Sequence, residues 1–121
     1  MSNEFDEKLR KAIQDLQIQT ITTNQKLNEL NQTERIMEQN IKVSELAKSE
    51  VSKLPEDKGV YHSIGRVFVF RQHDEEIADQ NKDIEQYKNK LGEISKQREY
   101  LQKNLSEMEQ NVREILQTRS S

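Results

Sequence analysis

The side chains in this sequence whose types suit chemistry are His62, His73, Ser63 close to Gly65, and 22 acidic against 19 basic residues. None forms a catalytic set. The two histidines have neither a cysteine nor a second histidine at ligand spacing, which points to a surface or hairpin role rather than a metal site. Ser63 is not a nucleophile elbow, because a Gly-x-Ser-x-Gly pattern is absent. The glycines are Gly59, Gly65 and Gly92, and they build no phosphate-binding loop. The carboxylates are scattered along polar runs with no pocket to shift their pKa values. There is no cysteine, so thiolate chemistry and disulfides are excluded. The expectation is a non-enzyme with no cofactor and no metal.

Composition narrows the class further. At 121 residues the length suggests one domain, and with 31% hydrophobic, 34% charged and 5% aromatic residues no thick globular core can form. The net charge is -3, with acids and bases interspersed, so no basic patch points to nucleic acid or an anionic membrane. The beginning of the chain lacks the apolar run of a signal peptide, and no apolar run approaches the length of a membrane span. The expected location is the cytoplasm.

Periodicity supplies the elements. From about Asn3 to Val51 there is no Gly or Pro, and a 3-4 spacing picks out Leu9, Ile13, Leu16, Thr20, Thr23, Leu27, Leu30, Glu34, Met37, Ile41, Ser44, Lys48 and Val51. Eight of these thirteen are apolar, which reads as a coiled-coil seam with polar breaks. Asp6 with Arg10, Glu7 with Lys11 and Glu38 with Lys42 are acid-to-base pairs four apart and mark a solvated outer surface. Pro55 biases Leu54 away from helix, and residues 55–59 form a turn-rich linker. A second seam runs Ile77, Gln80, Ile84, Tyr87, Leu91, Ile94, Arg98, Leu101, Leu105, Met108, Val112 and Ile115, ten of twelve apolar. Asp74 is the expected N-cap of this helix. Pairing residue i with residue 128 − i aligns the two seams, and Glu34 and Arg98 then lie in adjacent layers and can pair diagonally. The expected fold is mainly α: a long antiparallel two-helix coiled coil with one β-hairpin at the bend and both termini at the far tip. Its parts are a helix over about 3–53, linker and hairpin over about 54–73, and a helix over about 74–118, with a frayed tail, all within one domain, 1–121.

Val60 to Arg71 is the stretch that breaks this pattern. Val60, Tyr61, Ile64, Val67, Phe68, Val69 and Phe70 are β-branched, aliphatic or aromatic, and Gly65 divides them into two short runs, a hairpin signal. Val67 to Phe70 is apolar at every position, so the strand calls for cover on both faces. An isolated two-stranded hairpin is marginal in water. Assembly through the hairpin is the expected role. A second exposed apolar region lies at the tip, where Phe5, Leu9, Ala12, Ile13, Val112, Ile115 and Leu116 gather, with Ile18 and Ile21 nearby. Ile13, Val112 and Ile115 complete the seam, whereas Phe5, Ala12 and Leu116 lie off it.

A long helix, a Pro-containing linker, one β-hairpin and a second long helix together resemble a β-type prefoldin subunit. Val60-Tyr61-His62-Ser63-Ile64-Gly65-Arg66-Val67-Phe68-Val69 looks like the hairpin of that family, in which an aromatic residue, a Ser, an aliphatic residue and a Gly precede an apolar strand. Gln97 to Leu101 and Asn111 to Leu116 look like the end of a eukaryotic member. The resemblance covers nearly the whole chain, and the first helix departs from an ideal seam at five positions. It implies a subunit of a hetero-hexamer of two α-type and four β-type subunits, whose hairpins join into a barrel body from which the coiled coils project. It implies an ATP-independent chaperone that holds unfolded or nascent polypeptides, actin and tubulin among them, and delivers them to the cytosolic chaperonin. Carried onto this chain, assembly falls to Val60, Tyr61, Ile64, Gly65, Val67, Phe68, Val69 and Phe70. Client binding falls to Phe5, Leu9, Ala12, Ile13, Val112, Ile115 and Leu116.

Two other readings compete. A structural coiled-coil scaffold or spacer docks through the same hairpin and holds no client. An RNA-binding helical arm, like that of a seryl-tRNA synthetase, ranks last because both helices are acidic overall.

Overall fold

The computed structural model describes the backbone of residues 2–120 and the side chains of residues 4–118. In chain order the elements are α1 (Ser2–Ser52), β1 (Val60–Ile64), β2 (Val67–Arg71) and α2 (His73–Ser120). α2 thus continues to Ser120, past the point where fraying was expected, and Ser121 lies outside the described residues. The chain divides into two compact units, Met1–Gln32 with Ile94–Ser121, and Thr33–Glu93.

Both helices form because Gly and Pro are absent from α1 and only Gly92 interrupts α2. Their seams are occupied without exception: each of the thirteen positions on α1 and the twelve on α2 is buried or half-buried. The polar breaks are buried with the rest, Thr23 and Ser44 on α1 and Gln80 on α2. Thr20 satisfies its hydroxyl within its own helix by donating to the Leu16 carbonyl at 2.7 Å. In the unit formed by the ends of the helices, Arg98 Nη2 donates to Asn31 Oδ1 at 2.9 Å. Asn31 is the neighbour of Leu30, which the 128 − i register places opposite Arg98, and Ala12 and Asp15 line one depression with Met108, Asn111, Val112 and Ile115, so the helices run antiparallel there.

α1 ends as its residues dictate. Lys53 and Leu54 donate backwards by three residues, to the carbonyls of Glu50 at 3.3 Å and Val51 at 3.0 Å, which tightens the last turn ahead of Pro55. The Pro55 carbonyl then accepts from Lys58 N at 3.0 Å, closing a turn. The start of α2 differs from expectation. The Gln72 carbonyl accepts the first helical bond, from Glu76 N at 2.9 Å, so Gln72 holds the capping position and Asp74 sits inside the first turn. The Asp74 side chain is turned to its neighbour instead, with Oδ1 3.0 Å from His73 Nδ1. Asp74, Glu75 and Glu76 still place negative charge where the helix dipole favours it.

Gly92 lies exposed within α2, and a Cβ added there would meet nothing within 4 Å. Gly92→Ala is therefore expected to stabilise the chain by about 0.5–1 kcal/mol through helix propensity alone. A rise in the urea midpoint with an unchanged slope checks this; a fall would show that the position is used for a close approach.

Candidate functional site: the apolar hairpin and its anchorage

β1 and β2 pair antiparallel in the register Val60 with Arg71, Tyr61 with Phe70, His62 with Val69, Ser63 with Phe68 and Ile64 with Val67. Gly65 and Arg66 form the two-residue turn. Gly65 has φ +62°, whereas no non-glycine residue has positive φ, the pattern of a type II′ turn that matches strand twist. Any side chain at Gly65 would be strained by that backbone although the space around it is open. At the other end, a Cβ on Gly59 would collide with the Phe70 ring and lie 2.8 Å from the Arg71 carbonyl oxygen. The linker can pass β2 this closely only as glycine.

Side chains alternate across a pleated sheet and directly paired residues share a face. One face therefore carries Val60, His62, Ile64, Val67, Val69 and Arg71, and the other Tyr61, Ser63, Phe68 and Phe70. The second face is bare: Tyr61 is 73% exposed, Phe68 69% and Phe70 56%. Tyr61 and Phe70 meet edge to face, centroids 5.7 Å apart at 72°, a pairing worth about 0.5–1.5 kcal/mol. The first face is partly covered near the open end of the hairpin, where Val60, His62 and Arg71 are half-buried, while Ile64 and Val67 near the turn remain exposed. All eight residues assigned to assembly thus lie together on this one small sheet.

The covered end is held by polar groups that sequence reasoning missed. Oε1 of Glu76 lies 2.8 Å from His62 Nδ1 and accepts from Gln80 Nε2, also at 2.8 Å. Arg71 Nη1 pairs with Asp79 Oδ2 at 2.8 Å. His73 and Glu76 are both buried, and Arg71 Nε, His73 Nε2 and Glu76 Oε2 are buried without a partner among the described residues. Stepping the second seam back four residues from Ile77 lands on His73, and Glu76 is four before Gln80. The 3-4 pattern therefore carried the signal, although the residue types masked it. Burial pushes the Glu76 carboxyl up, but the hydrogen bonds from Gln80 and His62 and the charges of His62 and Arg71 together hold it below its ordinary value of 4.5.

The tip residues fare differently. Leu9 and Val112 are buried within the seam, so little of either side chain is left for a contact surface. Both occupy seam positions, and where only two helices pack the seam is where apolar side chains are buried. Phe5, Ala12, Ile13 and Ile115 are half-buried, and Leu116 is 44% exposed. Shallow depressions remain beside them, one of about 360 Å³ lined by Asp6, Leu9, Arg10, Ile13 and Gln14. Another, of about 240 Å³, is lined by Ala12, Asp15, Met108, Asn111, Val112 and Ile115. The most exposed aliphatic side chains of this unit are Ile18 and Ile21, each 60% exposed on the outer side of α1.

Comparison with known proteins agrees with this architecture. The family model described as prefoldin subunit matches residues 14–119. The chain belongs to the prefoldin subunit family. It is 38% identical over 114 residues to "Probable prefoldin subunit 1" of Caenorhabditis briggsae, covering 94% of this chain and 97% of that protein. It is 27% identical over 129 residues to "Prefoldin subunit 1" of Homo sapiens, with 98% of each chain covered. Among solved structures, the prefoldin beta subunit from Thermococcus strain KS-1 shares its fold with a TM-score of 0.71 at 20% identity, over 88% of this chain and 90% of that one. Among the described residues of this prefoldin subunit no group of three or more His, Cys, Asp or Glu is placed to hold a metal ion, and no helix is long and apolar enough to cross a membrane.

A carboxyl whose value is depressed in the folded chain contributes stability above its unfolded value, and that contribution is lost as pH falls through the folded value. The hairpin anchorage is therefore expected to be intact at pH 6 and to loosen below about 4.5, the unfolded reference for Glu76. Carbon-detected titration of the Glu76 carboxyl should show a midpoint below that reference, with the nuclear Overhauser contacts between His62 and Glu76 fading over the same range. In Glu76→Gln those contacts should not vary with pH across this window.

Proposed function

We propose that this prefoldin subunit joins other prefoldin subunits through its β-hairpin in a hetero-hexameric, ATP-independent chaperone. In this reading the complex holds unfolded or nascent polypeptides, of the actin and tubulin class, and delivers them to the cytosolic chaperonin. The observation that carries the proposal is the bare face of Tyr61, Phe68 and Phe70 on a two-stranded sheet. Three large apolar side chains that their own chain leaves more than half exposed, flanked by sheet edges with unpaired backbone groups, are a surface made to be buried. The hairpin residues Val60, Tyr61, Ile64, Gly65, Val67, Phe68, Val69 and Phe70 are its assembly elements.

Client holding is supported by apolar groups at the unit that contains both chain ends. With Leu9 and Val112 in the seam, the contact surface passes to Phe5, Ala12, Ile13, Ile115 and Leu116, extended by Ile18 and Ile21. Isolated aliphatic side chains and shallow depressions give weak contacts, which suits a holder that multiplies them over several arms and must also let go. The scaffold reading gains from the same burial of Leu9 and Val112, because it needs no apolar surface at the tip. The cytoplasm is the proposed location, since delivery to a cytosolic chaperonin requires it.

Val67→Asp and Phe68→Asp are each expected to weaken assembly by roughly 2 kcal/mol or more, the scale of a central apolar anchor. Native mass spectrometry after co-expression with the remaining prefoldin subunits should then show the hexamer without this chain. Wild-type assembly in both variants would rule out the hairpin's role. Ile18→Ser, Ile21→Ser and Leu116→Ser combined should leave the hexamer intact and reduce its suppression of actin aggregation. Full suppression by that variant complex would favour the scaffold reading. Substituting the buried Leu9 would not separate the two, because it would also open the seam.

A further inference from the structure

We propose that His62 and Arg71, gripping Glu76 and Asp79, form a two-point clasp that decides which face of the hairpin is turned down onto α2 and which is offered to a partner. The clasp rests on the assembly reading for its purpose, but its geometry stands apart from it.

The hairpin poses a problem of choice. One face has four apolar residues, Val60, Ile64, Val67 and Val69, and the other has three, Tyr61, Phe68 and Phe70. Hydrophobic burial has no direction, so apolar content alone leaves both faces suited to α2. Polar side chains break the tie. His62 at the middle of β1 and Arg71 at the open end of β2 project from the same face of the hairpin. Their partners Glu76 and Asp79 are three residues apart on α2, hence neighbours on one side of the helix. Gln80, four residues from Glu76, completes the grip by donating to the same carboxylate oxygen that His62 approaches. Turning the hairpin over would carry His62 and Arg71 away and leave the buried Glu76 carboxylate, whose side chain is 5% exposed, with Gln80 alone.

The energetics favour orientation over stability as the role. Arg71 and Asp79 are each more than a third exposed, a pair of small net worth, and a buried ion pair is seldom better than apolar packing of the same volume. A buried carboxylate that loses its partners is, by contrast, strongly unfavourable, so the cluster penalises the wrong orientation more than it rewards the right one. Two further charged groups, Lys82 and Asp83 on α2, stand beside the clasp. With Gln86, Lys82 and Asp83 line the open polar depression of about 340 Å³ beside it. His62, Arg71, Glu76 and Asp79 are thus positioning residues for assembly.

The absence of cysteine gives a clean test. Single cysteines are placed by Val69→Cys on the held face or Ser63→Cys on the offered face, and thiol-labelling rates are measured in the free full-length chain. Glu76→Gln with Asp79→Asn is expected to raise labelling at position 69, where Val69 is 37% exposed, about two- to threefold and leave position 63 unchanged, helicity being retained. Assembly with the co-expressed prefoldin subunits should weaken by a similar factor. The exchange Arg71→Asp with Asp79→Arg should restore most of what Asp79→Asn alone removes. Unchanged labelling at position 69 overturns the clasp. Increased labelling with unchanged assembly, in a background where Phe68→Asp abolishes assembly, overturns its positioning role and leaves the assembly reading standing. If Phe68→Asp assembles normally the assembly reading fails, and the labelling contrast still decides the clasp.

Discussion

Two paired helices have no interior in the sense a globular domain has one; each can bury only a single stripe of side chains. Every seam position on α1 and α2 is removed wholly or partly from solvent, and Ile94 is the one described large side chain that is fully buried. Such a seam tolerates polar members if their groups find partners nearby, as Thr20 does in its own helix and Arg98 does at Asn31. The depressions beside the seam among the described residues are shallow and open to solvent. Among the described residues, the buried titratable groups His73 and Glu76 lie where the hairpin attaches.

That attachment shows how a small polar set can serve a strongly apolar element. The hairpin cannot be stable as an isolated two-stranded sheet, and α2 covers only part of one face. What holds it in place locally is a set of directional contacts: His62 and Gln80 on the Glu76 carboxylate, Arg71 on Asp79, and the packing of Phe70 over Gly59. Directional contacts fix geometry, and the apolar surface is left over for binding.

The helices, their seams and the hairpin were legible in the sequence because each rests on a period or a turn signal. The 3-4 spacing placed all seam residues, and Gly65 between two apolar runs placed the turn. The functional surfaces were less legible where burial competes with exposure. Leu9 and Val112 look like a sticky tip in composition and are core in fact, since both occupy seam positions. His73 and Glu76 look like surface residues because of their type, yet they lie deeper than most of the aliphatic seam. The 3-4 spacing reaches both positions, but the cover at Glu76 comes from a tertiary contact, the descent of β1 and β2 onto α2, that the spacing does not specify. The cap of α2 moved for a related reason: Asp74 is engaged with His73, and the chain leaves β2 with only Gln72 between strand and helix.

The seam has a further mechanical meaning. Within each unit its layers follow one another along the helices, and each leans only on the layers before and after it, so each unit behaves as a zip fastener more than as a vault. A vault fails all at once when one stone is lost; a zip opens from an end and closes again behind the slider. Within the unit that holds both chain ends, the loss of one layer is then felt by its neighbours and little beyond them.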